Sequence, residues 1–334
     1  MDNNNAIVIN DLNEILLIPV NKLTCLQHLT FGYSFNQPLS NSLDKLTSLQ
    51  FLTFGKKFNQ PLYNGLDKLT SLQHLTFGYW FNQSLFNSLD KLTSLQHLTF
   101  YDKFNKPLSN SLDKLTSLQY LTFGYNFNQL LSNSLDKLTS LQYLTFGYHF
   151  DQPLSNSLDK LTSLQYLTFG YNFNQLLSNS LDKLTCLQYL TFGDGFNQPL
   201  SNSLVKLTSL QQLTLGYWFN QKLVLPSNIK YLVLDCNNKS IIDNLHNNIE
   251  KLTLKRNFNL ELDNLPSSIK KIIIYNNGYD KELNNLPSSI ECIYLPWYYE
   301  KKILNIPKNL KKINCNNNYK FINDFSNCEI TNYG

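Results

Sequence analysis

The sequence predicts a repeat solenoid, mainly β or α/β, with one short parallel strand per coil, about fourteen coils, and loops or short helical turns on the opposite face. Three observations predict it. The string SLQYLTFGYNFNQLLSNSLDKLT at 117–139 recurs unchanged at 163–185, and its pattern returns every 23 residues from Leu26 to Phe219. Leucines form a column at Leu29, Leu52, Leu75, Leu98, Leu121, Leu144, Leu167, Leu190 and Leu213, followed two residues later by Phe31, Phe54, Phe77, Phe100, Phe123, Phe146, Phe169, Phe192 and Leu215. Beyond Asn220 the strand core persists in IKYLVL, IEKLTL, IKKIII, IECIYL and LKKINC, whose central Leu232, Leu252, Ile272, Ile293 and Ile313 stand 20 or 21 residues apart.

These patterns divide the chain into an N-terminal cap at 1–25, nine 23-residue coils at 26–222, five shorter coils at 223–316 and a C-terminal cap at 317–334. Within a coil, LQHLTF at Leu26 to Phe31 places Leu29 and Phe31 on one face and His28 and Thr30 on the other, as the two-residue strand period requires. One such strand cannot bury its apolar face alone. Stacking copies about 4.8 Å apart builds a continuous parallel sheet and a continuous core. Leu39, Leu43 and Leu46 then return on the far side at spacings that suit a loop or one helical turn. Gly32, Gly55, Gly78, Gly124, Gly147, Gly170, Gly193 and Gly216 end the strands, where a backbone angle open only to glycine is often needed. Tyr101 occupies that column in one coil, so the position tolerates a side chain. In the caps, Ile7 to Val20 supplies apolar cover at one end, and Phe321, Ile322 and Phe325 cover the last coil at the other.

The recurring core reads FNQPL at Phe35, Phe58 and Phe196, FNKPL at Phe104 and FDQPL at Phe150. The pattern LxxLxFGxxFNQPL resembles the FNIP repeats of social amoebae and of giant viruses that infect amoebae, and the first part of each coil is similar to a leucine-rich repeat. The chain departs from the family where its middle coils carry NSLDKL in place of a proline-containing leader. The resemblance implies a repeat protein that binds other proteins. It also implies a narrower role, because some members couple an amino-terminal F-box to the repeats and recruit substrates to a ubiquitin ligase. LNEILLI at Leu12 to Ile18 is similar to the opening of an F-box, but only seven residues separate Ile18 from Leu26, too few for the three-helix unit. Substrate recognition without a complete F-box is therefore one alternative, and a self-assembling structural protein is another.

Composition narrows the classes further. The formal charge is +4 and its excess lies wholly after Phe219, yet Arg256 is the only arginine. A nucleic-acid binder would show a concentrated basic stripe with arginines for phosphate and base edges. The N-terminal segment shows no basic leader, no cleavage site and no apolar run long enough for a bilayer, which predicts a soluble, cytoplasmic chain without membrane contact, in the host-cell cytoplasm if the source is viral. Cys25 and Cys186 stand seven periods apart in one column, roughly 34 Å in a stacked array, beyond disulfide reach. Free thiols are expected, and the sequons at Asn82 and Asn238 are then incidental.

Near-identical coils supply no unique, converging residues of the kind catalysis needs, so no catalytic site, cofactor or metal is expected. His74 and His97 share one column but lack a third ligand beside them. Two inner ladders are structural. One is Phe35, Phe58, Phe81, Phe104, Phe127, Phe150, Phe173, Phe196 and Phe219 in the core. The other is Asn36, Asn59, Asn82, Asn105, Asn128, Asp151, Asn174, Asn197 and Asn220, whose side chains are expected to turn inward and satisfy backbone groups at each corner.

Recognition is expected where coils differ while the core stays constant. The outward column reads His28, Phe51, His74, His97, Tyr120, Tyr143, Tyr166, Tyr189 and Gln212, and the pairs after the glycines add Lys57, Trp80 and Trp218. An exposed row of aromatic residues on a rigid sheet has the composition of a protein interface. The same row would also act as a cross-strand ladder, worth roughly 0.2 to 1 kcal/mol per pair. A monomer that binds an unidentified protein through this face is the expectation.

Overall fold

A computed structural model describes residues 5–200 and 203–332. Residues 1–4 and 333–334 of the predicted caps, and residues 201–202 of the eighth coil, lie outside the described residues. The chain divides into two compact units, Met1–Leu187 and Gln188–Gly334.

In the first unit, eight strands pair in chain order, all parallel: β1 (Ala6–Ile9), β2 (His28–Phe31), β3 (Phe51–Thr53), β4 (His74–Phe77), β5 (His97–Phe100), β6 (Tyr120–Thr122), β7 (Tyr143–Thr145) and β8 (Tyr166–Thr168). The register is one coil on the next without offset, so His28 faces Phe51 and Leu29 faces Leu52. Each Gln carbonyl ahead of a strand accepts two N–H groups of the following coil; Gln27 takes those of Gln50 and Phe51, both at 2.9 Å. Leucine and phenylalanine columns fill the interior, with Leu29, Phe31 and Phe35 each 1% exposed. The Phe31 and Phe35 rings stack within the coil at 3.9 Å, a contact repeated at 4.0 Å for Phe54 with Phe58. Burying each ring is worth about 1.5–3 kcal/mol, so a pair in every coil supplies much of the cohesion.

The far side is built from turns. Ser42 N–H donates to the Leu39 carbonyl, Leu46 N–H to Leu43 and Leu49 N–H to Leu46, each three residues back. Leu39, Leu43 and Leu46 all point inward from it. The left-handed backbone falls at Ser40, Tyr63, Ser109, Ser132, Ser155 and Ser178, with φ of 41° to 45°. In the third coil it moves one place, to Asn87 beside Phe86. No described glycine has positive φ, so the column does not use the angle open only to glycine. Most of these positions are close instead: a Cβ on Gly55 would sit 1.8 Å from the Gly32 carbonyl oxygen, and one on Gly147 1.9 Å from that of Gly124, while Tyr101 holds the same place in the fourth coil.

In the second unit the strands are β9 (Tyr189–Thr191), β10 (Gln212–Leu215), β11 (Tyr231–Leu234), β12 (Lys251–Leu254), β13 (Lys271–Ile274), β14 (Cys292–Tyr294), β15 (Lys312–Cys315) and β16 (Glu329–Asn332), again parallel and in order. Here the core ring after the strand is still Phe at Phe196, Phe219 and Phe258 and becomes Tyr279, Tyr299 and Tyr319 in the last coils, all buried. Their hydroxyls donate to the carbonyls of Leu260, Lys281 and Lys301 one coil back, at 3.1, 3.1 and 2.7 Å. Burial pushes all three phenols above their usual range.

The predicted caps do more than cover. The N-terminal segment contributes β1 and two short helices, α1 (Asn13–Leu16) and α2 (Val20–Leu23), while leaving Leu16 81% and Leu17 83% exposed. The C-terminal segment buries Phe325 beneath a 3-10 turn at Ile322–Phe325 and then adds β16; Phe321 and Ile322 are only half-buried. Within the coils themselves, α3 (Lys239–Ile242) is the one helix among the described residues.

Candidate functional site

The strand face of the first unit carries a continuous stack of seven rings: His28, Phe51, His74, His97, Tyr120, Tyr143 and Tyr166. Adjacent centroids lie 4.0 to 4.2 Å apart and the planes within 6° to 14° of parallel. The unshifted register causes this, since it places identical positions side by side. On the other side of the same strands the Phe31 column is spaced 5.2 to 5.9 Å. The deeper Phe35 column is spaced 5.8 to 6.1 Å. Strands in a sheet stand about 4.8 Å apart. Rings closer than that on one face and wider on the other mean that this unit's sheet curves, with the aromatic stack on the inner side.

The sequence reading placed these rings outward on the strand face as an exposed row. They lie on that face, opposite Leu29 and its column, but only His28 is exposed; from Phe51 to Tyr166 each ring is half-buried because its faces are covered by its neighbours. What remains open is the edge of the stack, with the tyrosine hydroxyls along it. Burial raises the pKa of Tyr120 and of Tyr143, and each is raised further by a hydrogen bond to the next hydroxyl along, Tyr143 and Tyr166 respectively. Burial lowers the pKa of His97; for His74, burial is joined by the charges of His97 and His28. Both causes favour the neutral forms of His74 and His97, and no group of three or more His, Cys, Asp or Glu that could hold a metal occurs among the described residues.

Beside the stack runs the row after the glycines. Lys56 Nζ lies between two tyrosines, 5.5 Å from the Tyr33 ring centroid and 4.9 Å from that of Tyr79. Lys57 Nζ is 6.0 Å from the Tyr33 ring, and Lys103 Nζ is 5.8 Å from both Tyr79 and Trp80. Trp80 is half exposed. Farther on, Tyr125, Tyr148 and Tyr171 form a second stack at 4.6 and 4.7 Å. Sequence reasoning passed over Lys103 because Tyr101 replaces the glycine that marks the position. The 23-residue spacing from Trp80 was the signal that would have found it.

The Asn column does satisfy backbone groups, as read, but it does not turn inward: its members are exposed or half-buried and reach along the stack to the next coil. Asn36 Oδ1 accepts the backbone N–H of Asn59 at 2.8 Å, Asn59 that of Asn82 at 2.9 Å, and Asn105 that of Asn128 at 3.0 Å; Asp151 takes the same role toward Asn174 at 2.9 Å. Gln129 and Gln152 donate to Asn105 and Asn128 from the next coil, both at 2.9 Å. The amides thus tie coil to coil. The Phe35 ladder lies wholly in the interior.

Of the remaining candidates, Tyr189 and Gln212 face each other across β9 and β10 in the second unit. Trp218 is 57% exposed and packs edgewise on Tyr217 at 4.7 Å. All six cysteines are free. No described helix is long and apolar enough to cross a membrane.

Parallel one-strand coils with a leucine core and a curved strand face define a leucine-rich-repeat type of solenoid. Residues 14–134 match the family model described as a leucine-rich repeat region. CroV588, a giant-virus protein described as a circular leucine-rich-repeat structure, aligns over 92% of the chain at 27% identity with a TM-score of 0.64. The chain spans 55% of that protein. An internalin, inlF of Listeria monocytogenes, aligns over 89% of the chain and 88% of its own length at 18% identity, TM-score 0.59. Toll of Drosophila, in its complex with Spätzle, aligns over 96% of the chain and 51% of its own at 15% identity, TM-score 0.59. No curated protein matches the chain in sequence.

Proposed function

We propose that the chain is a non-enzymatic, FNIP-type repeat protein that acts in the cytoplasm as a monomeric scaffold, docking another protein on the strand face of its coils. The observation that carries this reading is the seven-ring stack. Its rings are already fixed by one another, so a partner that closes over their open edges orders few side chains on binding. Lys57, Trp80 and Lys103 would flank such a partner, and Tyr189, Gln212 and Trp218 would offer the second unit's share. In the Toll–Spätzle complex a solenoid of this fold is likewise paired with a protein. Replacing Tyr120, Tyr143 and Tyr166 by Ser and comparing thermal stability with partners recovered by affinity purification tests the reading. Partners lost at a melting temperature that still exceeds working conditions support it. Stability lost with every partner retained would reduce the stack to a ladder.

Self-assembly is the second reading, and one observation favours it. At the N-terminal end of the first unit, Val8, Leu16, Leu17 and Val20 are 67%, 81%, 83% and 54% exposed on and after β1, the first strand of the described residues. An exposed apolar patch at the end of a stacked sheet is a surface on which a second chain can pack. Light scattering at rising concentration decides between the two: a constant monomer mass excludes assembly.

A further inference from the structure

The second unit's strand face differs in kind from the first. Its outward column reads Tyr231, Lys251, Lys271, Cys292 and Lys312 on β11 to β15, and the residue before each adds Lys230, Glu250, Lys270, Glu291 and Lys311. Three of these lysines are paired: Lys230 with Glu250 at 3.6 Å, Lys311 with Glu291 at 2.7 Å and Lys312 with Glu329 at 2.7 Å. Lys251, Lys270 and Lys271 have no carboxylate partner among the described residues, and neither do Lys255 and Arg256 just past the end of β12. Lys271 Nζ lies 4.7 Å over the outward ring of Tyr294, which holds it on this face.

Past the end of β13 is a hollow of about 390 Å³ with Ile274 and Leu295 in its wall and Tyr275, Pro296, Trp297 and Tyr298 around it. Tyr275, Trp297 and Tyr298 are 53%, 38% and 68% exposed. Clustered exposed rings of this kind mark an interaction surface more often than they occur by chance on a monomer. Lys271 and Tyr275 are four residues apart along an extended chain, roughly 13 Å, the reach of four residues of an extended ligand.

We propose that this face of the second unit docks an extended acidic peptide segment, its carboxylates on Lys251, Lys270 and Lys271 and one apolar side chain in the hollow beside Trp297. The inference deepens the protein-binding reading but uses none of the first unit's rings. Charge decides the class of occupant. A phosphodiester backbone would meet Glu250 and Glu291 interleaved with the lysines, and the site offers it one arginine. A peptide can place neutral residues opposite those glutamates, and a hollow faced by Pro296 and the rings of Tyr275, Trp297 and Tyr298 suits an apolar side chain better than a phosphate.

The test titrates the full chain into a short fluorescein-labelled peptide of Asp and Glu with one central Phe, read by anisotropy. The same peptide with Lys for the acids, the same with Ala for Phe, and an oligothymidylate of equal length serve as comparisons. The acidic Phe peptide should bind, and more weakly as salt rises. Lys251→Ala with Lys271→Ala should weaken it at least tenfold, and Lys251→Arg with Lys271→Arg should restore most of the loss at equal melting temperature. Trp297→Ala should erase the preference for Phe over Ala. Tyr120→Ser, Tyr143→Ser and Tyr166→Ser should leave this binding unchanged, so its failure is distinguishable from failure of the stack as a docking face. No binding, indifference to the lysine pair, tighter binding of the oligothymidylate, or light scattering that shows a dimer dissociated by the lysine variant would each overturn the proposal. The last result would assign the face to the acidic corner of a second copy at Glu261, Asp263 and Glu282.

Discussion

The two units build one coil in two ways. In the first, the corner residue after the strand is Phe, and the backbone there is satisfied from outside by the Asn ladder. The second begins the same way, with Phe196 and Phe219 in the core and Asn197 on the Asn220 N–H, and then changes: Tyr279, Tyr299 and Tyr319 fill the same volume and carry the satisfying hydroxyl on the ring itself. One solution needs a period of constant length so that amide meets amide. The other is self-sufficient within a pair of coils and accompanies spacings of 20 and 21 residues. The first solution also brings most coils close at the end of the strand, where a Cβ on Gly55 or Gly147 would meet a carbonyl oxygen, while Tyr101 holds the same place in one coil.

The largest expected effect tests that closeness. Gly147→Ala forces a Cβ to within 1.9 Å of the Gly124 carbonyl, whereas Gly278→Ala in the second unit meets nothing nearer than Asn276 Oδ1 at 3.5 Å. Denaturant unfolding followed by circular dichroism should show a loss of more than about 2 kcal/mol for the former and less than about 0.5 kcal/mol for the latter. Equal effects would mean that the strand-end column is no tighter than the open turn at Gly278.

A smaller contrast sharpens the two ways of satisfying a corner. Tyr299→Phe leaves a carbonyl facing an apolar ring in the interior and should cost about 1 to 1.5 kcal/mol. Asn128→Ala opens a half-exposed site where water replaces the lost oxygen, so about 0.5 to 1 kcal/mol is expected. The reverse order would show that the outer amides matter more than the buried phenols.

The smallest effect concerns pH and belongs to the first unit alone. His74 and His97 are held below their ordinary pKa of 6.5 by burial. The unfolded chain therefore binds protons that the folded stack refuses, and stability falls as pH drops from about 6.5 through the folded values. His74→Phe with His97→Tyr keeps the rings and removes the titration. Its melting temperature should change less between pH 7 and pH 5 than the parent's, and an identical slope would remove the histidines from the account.

Much of this was legible in the letters. Leu29 and its column give the strand, and the 23-residue return gives the parallel register, because one apolar face can be buried only against a copy of itself. The corners were less legible. The left-handed residue is Ser40 or Tyr63, side chains that carry no mark for that angle, while the glycines that do carry one serve another need. Asn36 reads as a local turn residue, yet its partner stands 23 residues later, a distance that local propensity does not encode. The burial of Tyr120 was hidden for a similar reason: alternation assigns a side of the sheet, but curvature decides how closely neighbours on that side are pressed together.

The unshifted register also bears on how the chain changes length. Residues 117–139 and 163–185 are identical and lie two whole coils apart. A recombination event between their coding stretches removes or adds two coils without a frameshift and without a seam. Every Leu, Phe and Asn then meets the same neighbour as before. The extent of the aromatic face is thus a heritable variable that can be altered without redesigning any contact that supports it.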